Sequence, residues 1–383
     1  MHNIFRTIIL LMLTAMPPTA VMAQRMPFIA DGLINTADTL TLGLPANKNV
    51  RTVRVFSPTD CDRHYANGAV LTVFKNAMYC MWQSSTTDED APETCVVYSR
   101  SNDEGLTWSE PQVLAAATDT AYCTSGGWMA QGDSLTAFIN VWPTGITPTG
   151  GYTYCARSSD GRSWTAPRPV MMADGSRMNG VIEQDFCHMP DGRMAGAAHM
   201  QPGLHLTPIF TDDTTGCSGW HTGTMATHDR GRQSQELEPS IYMQPDRTLV
   251  MVQRDQKGSY RKMASVSRDR GATWTEPMVT NIPDARVKQS AGNLADGTAF
   301  LVGNTTGAKR RFPLVALFSA DGACFDRAIL LRSGGSDLQS RRYPGKAKTI
   351  GYNYPKSIAY NGCLYVAYTT NKEDVEVTVV SME

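Results

Sequence analysis

The sequence predicts an all-β fold, a six-bladed propeller, on three observations. A short turn motif recurs along the chain, hairpin signatures follow one another at intervals of roughly 50–60 residues, and no stretch of useful length carries helical periodicity. The composition agrees: 32 Gly and 21 Pro in 383 residues favour turns over long helices, and 42% apolar residues suit a folded chain. The 35 Lys+Arg are balanced by 36 Asp+Glu, a net charge of -1, which leaves no broad electrostatic footprint for nucleic acid or an anionic membrane surface.

The first segment reads as an address. Arg6, an apolar run from Ile8 to Leu13 and the small-residue ending Ala20-Val21-Met22-Ala23 fit a signal peptide cleaved after Ala23. The run is too short for about 30 Å of hydrocarbon, so no membrane insertion is expected. The expected organisation is a signal peptide over 1–23, a lead-in over 24–47 and a single propeller domain over 48–383, exported to the periplasm or beyond as a monomer. The nine cysteines are scattered and odd in number, without Cys-x-x-Cys pairs or accompanying histidine pairs. Free thiols, no structural zinc and no cofactor are expected.

The repeated motif comes next along the chain. It reads Ser101-Asn102-Asp103-Glu104-Gly105-Leu106-Thr107-Trp108 and again Ser267-Arg268-Asp269-Arg270-Gly271-Ala272-Thr273-Trp274. A shorter copy spans Ser158 to Trp164 and a decayed one Ser319 to Phe325. In each, Asp can accept hydrogen bonds from backbone N–H groups of the turn, Gly supplies a positive φ and the aromatic packs between sheets. This is the Asp-box pattern, and with it the chain resembles the β-propellers of the sialidase superfamily, whose Asp-boxes are structural.

Hairpins fill the intervals: Leu71 to Trp82, Gly127 to Asn140, Phe186 to Ala198 across Asp191-Gly192, Ile241 to Gln253, Asn293 to Gly303 across Asp296-Gly297, and Ile358 to Tyr368 across Asn361-Gly362. Six such units give six blades from about Lys48 onward. A seventh, assembled from Thr39 to Pro58 and Val375 to Val380, is left open.

Chemistry is expected where inner strands open onto the channel mouth. Glu236-Leu237-Glu238-Pro239-Ser240, followed by Arg254, is similar to the sialidase stretch in which a Glu polarises a nucleophilic tyrosine and an Arg grips a carboxylate. The resemblance further implies Arg311, with Arg310 in reserve, as a second carboxylate-binding arginine. It implies Tyr354, rather than Tyr352, as nucleophile, and Asp90, with Asp88 in reserve, as the acid/base residue. Sialidases open their first blade with Arg-Ile-Pro. Here Asn67 stands in the arginine's place, and Arg63 is the nearest alternative.

Other stretches, among them Gly180 to Asp185 and His199 to Leu204, look closer to rhamnosyl-glucuronate hydrolases and ulvan-type lyases, which depend on histidine. That likeness adds His64, His188 and His199 as catalytic candidates and Glu183 and Gln184 as substrate-binding ones. The implied function is an exported exo-glycoside hydrolase removing a terminal sugar from acidic glycans. A lyase acting on a uronate-containing glycan and a non-catalytic glycan-binding propeller are the alternatives.

Overall fold

The computed structural model describes residues 25–145, 150–226 and 236–382; the expected signal peptide lies outside them. Six four-stranded antiparallel blades follow one another around a central channel, so the all-β, six-bladed expectation holds. Blade one comprises Tyr65–Phe74, Ala77–Ser85, Cys95–Ser101 and Gln112–Ala115. Blade two comprises Ala121–Gln131, Ser134–Pro143, Tyr152–Ser158 and Arg168–Pro169. In blade three the innermost strand is split into Gly180–Ile182 and Cys187–His188, which both pair with Met194–Met200, and His205–Thr211 and His221–Thr222 complete it.

Blade four is Glu236–Met243, Leu249–Asp255, Arg261–Ser267 and Met278–Pro283, and blade five Ser290–Asn293, Ala299–Gly303, Leu314–Ser319 and Arg327–Arg332. Blade six takes Tyr352–Tyr360, Cys363–Thr370 and Asp374–Ser381 from the C-terminal end and its outermost strand, Val50–Phe56, from the N-terminal end. The two segments considered for a seventh blade therefore pair with each other, and they close the sixth. That closure ties both ends of the ring into one sheet and leaves no unpaired end blade. The lead-in packs on the rim: Phe28–Ile29 runs parallel to Cys324–Phe325, and Leu42 is buried in the core between blades four and five.

The core lies between neighbouring blades, because each sheet alternates its side chains toward the sheets on either side. Between blades one and two, for example, Tyr79, Met81 and Tyr98 meet Trp128, Ala137 and Ile139. All nine cysteines are unpaired, with Cys80, Cys95 and Cys155 buried in strands.

The Asp-box turns have the expected chemistry. In the first, Asp103 accepts from Thr107 N at 2.9 Å and from the Ser101 hydroxyl at 2.7 Å, and Trp108 Nε1 donates to Gly105 O at 3.2 Å. Gly105 has φ 78, which favours glycine at that corner. A fifth turn of this kind closes in blade three. There Asp213 accepts from Thr215 N and Ser218 Oγ, and Trp220 Nε1 donates to Gly216 O at 2.7 Å. Threonine stands in the serine position and the turn is longer, so the sequence pattern is obscured while its function in the fold survives.

Inner strands carry a second shared feature, a bulge near the channel mouth. In blade four two residues, Glu238 and Pro239, oppose one on the partner strand, and in blade six Tyr354 and Pro355 do the same. In blade one the bulge holds Gly68 and Ala69.

Candidate active site

The bulges assemble the site. Glu238 at φ 51 and Tyr354 at φ 54 take equivalent positions, each followed by proline, and Gly68 at φ 62 is their counterpart in blade one. Left-handed backbone is uphill for a residue with a Cβ, by about 1–3 kcal/mol, and persists only where surrounding contacts impose it. By the same register Asn67 lies two residues before the position occupied by Pro239 and Pro355, which is where the Arg-Ile-Pro comparison puts the missing arginine.

Tyr354 is the centre of a charged cluster. Arg311 Cζ, Lys372 Nζ and Lys288 Nζ lie 5.3, 5.4 and 5.5 Å from its ring centroid. Arg254, whose charge acts on the phenol, pairs with Glu238 at 2.5 Å. Lys288 pairs with Glu183 at 2.8 Å, and Lys372 with Glu89 at 2.9 Å. Arg311 donates to Asn353 Oδ1 at 2.6 Å and, among the described residues, has no carboxylate within ion-pair distance. Three of the four cations are thus matched, and one positive charge beside Tyr354 is left over.

The electrostatics follow from this crowding. Burial, reinforced by the Glu238 charge, pushes the Tyr354 phenol up to about 12, so it is neutral at physiological pH. Burial alone would raise the Glu238 carboxyl, yet the Arg254 and Lys288 charges hold it down to about 2. At the rim, Asp90 is raised above the usual carboxylate range by burial and by the Glu89 charge. Asp88 is lowered against its own burial by the backbone N–H groups of Ala347, Glu89 and Lys346, which it holds in place.

Beneath the mouth, one carboxylate ties the bulges together. Asp185 Oδ2 accepts from Lys356 Nζ at 2.8 Å and from the Ser240 hydroxyl. Lys356 and Ser240 follow Tyr354 and Glu238 by two residues, and both also donate to Gln289 O. Gln289 Nε2 in turn donates to Glu238 O at 2.9 Å. The spacing of Glu238 and Tyr354 is therefore fixed by a buried axial node.

The expected site residues fall into two groups. Glu238, Arg254, Tyr354, Arg311, Glu183 and His199 come together, with His199 Nδ1 3.7 Å from Glu183 Oε1, and Asn67 joins them through Glu89 at 3.1 Å. Gln184 is buried and bonds Gly68 O and Ser125 Oγ, both at 2.8 Å, tying blade three to blades one and two. The others stand apart. His64 stacks on Tyr343 with ring centroids 3.9 Å apart, and Arg63 serves the backbone of Ser84 and Glu93. Arg310 lies over Phe312, and the Tyr352 hydroxyl donates to Ser333 O. His188 lines a cavity of about 290 Å3, with Asp185 and Lys356, that does not include Tyr354. The residues missed are Lys288, Lys372, Glu89 and Asp185. A charged residue just ahead of an inner strand was the available signal for Lys288, which precedes Ser290–Asn293.

Comparison with known proteins supplies the family. The model described as a BNR repeat-like domain matches residues 76–366, from the first hairpin of blade one into blade six. The chain belongs to this BNR repeat-like family. Among curated proteins none matches the sequence. Among solved structures, a protein of unknown function from Dyadobacter fermentans superimposes with a TM-score of 0.65 at 15% identity, covering 88% of this chain and 100% of that one. A sialidase gives 0.66 at 16% identity over 93% of this chain, which spans 35% of the sialidase's own length. The intramolecular trans-sialidase of Ruminococcus gnavus, solved with oseltamivir carboxylate, gives 0.62 at 11% identity over 89% and 98% of the two chains. The shared fold of this BNR repeat-like protein is thus the sialidase-type six-bladed propeller.

Proposed function

We propose that the protein is an exported exo-glycoside hydrolase that removes a terminal sugar from acidic glycans, with retention of configuration. The observation that supports this most is the uncompensated charge of Arg311 beside Tyr354 and the Glu238–Arg254 pair. A substrate carboxylate satisfies Arg311 and competes with Glu238 for Arg254. Losing part of that pairing makes Glu238 a better base for the Tyr354 proton.

Tyr354 then attacks the anomeric carbon as Asp90 gives its proton to the departing oxygen. The tyrosyl–sugar bond so formed is broken by water: Asp90, now a carboxylate, takes a proton from the attacking water, and Glu238 returns its proton to the departing Tyr354 oxygen. A neutral phenol suits an attack near a carboxylate, because an anionic nucleophile would be repelled.

A second reading is elimination next to a uronate carboxylate with His199 as base. Its support is that His199 Nε2 is buried without a hydrogen-bond partner among the described residues. Incubation with sialyllactose, rhamnose-capped arabinogalactan oligosaccharides and ulvan, followed by mass spectrometry and ultraviolet absorbance, separates the two. A free terminal sugar without new absorbance is the expected result. An unsaturated uronate would replace hydrolysis by elimination, and saturable binding without product would leave a glycan-binding propeller.

A further inference from the structure

Asn67 cannot do electrostatically what an arginine would do at the opening of blade one, since an amide carries no charge. Its side chain donates instead to Glu89 Oε1 at 3.1 Å, and the other oxygen of the same carboxylate accepts from Lys372 Nζ at 2.9 Å. Lys372 comes from a different blade. It sits in the tight turn between Cys363–Thr370 and Asp374–Ser381, where Asn371 and Lys372 both take left-handed φ, 59 and 57. Contacts on either side hold that turn against blade one. Ala66 N donates to Lys372 O at 3.0 Å, and Asn371 accepts from Gly351 N and donates to Gln339 O. Glu373 accepts from Arg342 N and Tyr343 N. The turn is thereby fixed with the Lys372 ammonium as close to the Tyr354 ring as the Arg311 guanidinium is, at 5.4 against 5.3 Å. Lys372 is 2% exposed, so its charge is weakly screened.

We propose that Lys372 supplies the third positive charge for the substrate's acidic group, in place of a blade-one arginine, and that Glu89 is the internal carboxylate with which that group competes. This rests on the reading that the site takes an acidic sugar. The recognition set becomes Arg254, Arg311 and Lys372, drawn from blade four, the strand approach of blade five and the turn of blade six. Asn67 orients Glu89 and contributes no charge.

A purely structural ion pair pinning the loop that carries Glu89 would behave differently. In that case Glu89→Gln and Lys372→Met both loosen the loop and both weaken binding. If Lys372 is a recognition charge, the two substitutions act in opposite directions, because removing Glu89's charge leaves Lys372 available and removing Lys372 leaves Glu89 repelling the ligand.

The experiment is an NMR or calorimetric titration of the full chain with N-acetylneuraminic acid and with glucuronic acid, with glucose as neutral control, in wild type, Lys372→Met, Lys372→Arg and Glu89→Gln. Thermal melts confirm that each variant is folded. The expected result is saturable binding of an acid by the wild type, weakened about tenfold or more in Lys372→Met by loss of one charge-assisted hydrogen bond, retained in Lys372→Arg and tightened in Glu89→Gln. Weakening by Glu89→Gln and Lys372→Met alike, or an unchanged affinity in Lys372→Met, overturns the assignment of Lys372 and leaves the proposed function standing. Absence of any acid binding by the wild type overturns both.

Discussion

At the outer edge of blade four, Asp269 accepts from Thr273 N and Thr273 Oγ1, four residues on, and Trp274 Nε1 closes the turn on Gly271 O. At the inner edge of the same blade, Glu238 finds Arg254 sixteen residues away, and its carbonyl is held by Gln289 from the approach to blade five. The outer turn satisfies itself, and can therefore be repeated around the ring as a local unit. The inner bulge is satisfied only when blades three, four, five and six are all in place, and there the left-handed backbone and crowded charge are stored. On the proposed function, stability concentrates in the first region and chemistry in the second.

Substitutions that separate these roles give the largest expected effects. Tyr354→Phe should lower turnover about 10³-fold or more with an unchanged melting temperature, since it removes the attacking oxygen and little packing; kinetics and calorimetry on one preparation check this. Trp220→Ala and Trp274→Ala should do the reverse, destabilising by about 3–5 kcal/mol in denaturant titrations while KM holds at low temperature. Trp108, only partly buried, should matter less than either.

The boundary between the regions is Asp185. Asp185→Ala leaves the fully buried Lys356 ammonium without its carboxylate, so it should destabilise by about 3 kcal/mol and also lower kcat, because the tie between the Glu238 and Tyr354 bulges is lost. A drop in stability with kcat intact would show that the node holds the fold alone.

The smallest effect is acid sensitivity of the outer turns. Hydrogen bonds from Thr107, then Ser101, hold the Asp103 carboxyl at about 2, below its ordinary 3.8. A carboxyl lowered in the folded state adds stability that is present above its unfolded value and lost as pH falls through the folded one. Melting temperatures should fall between about pH 4 and 2, and Asp103→Asn should flatten that fall.

The same contrast explains what could be read from the sequence. Asp103, Gly105 and Trp108 interact within one turn, so their spacing announces them, and four such turns with their hairpins define the propeller. The blade-three turn at Thr211 to Trp220 was hidden only by substitution and length. Glu238, Arg254, Arg311 and Tyr354 could be picked out because the stretches around them resemble those of sialidases, and the structure brings all four together. Lys372 and Glu89 were not, since the contact between them joins residues 283 apart and no local pattern marks it. The choice among Asp88, Glu89 and Asp90 depends on which side chain turns toward blade six, and adjacent residues of one loop share every sequence signal. The strand at Val50–Phe56 was noticed, but its partner's position in the ring is set by closure of the whole circle.

The central claim is that Tyr354 attacks the sugar directly. The most direct measurement is proton NMR of the first-formed sugar, taken within minutes on whichever acidic glycan the enzyme cleaves, before mutarotation. The account predicts that the released sugar keeps the anomeric configuration of the substrate, because two displacements occur at one carbon. An inverted product would mean that water attacks in a single step, and would contradict Tyr354 as the nucleophile.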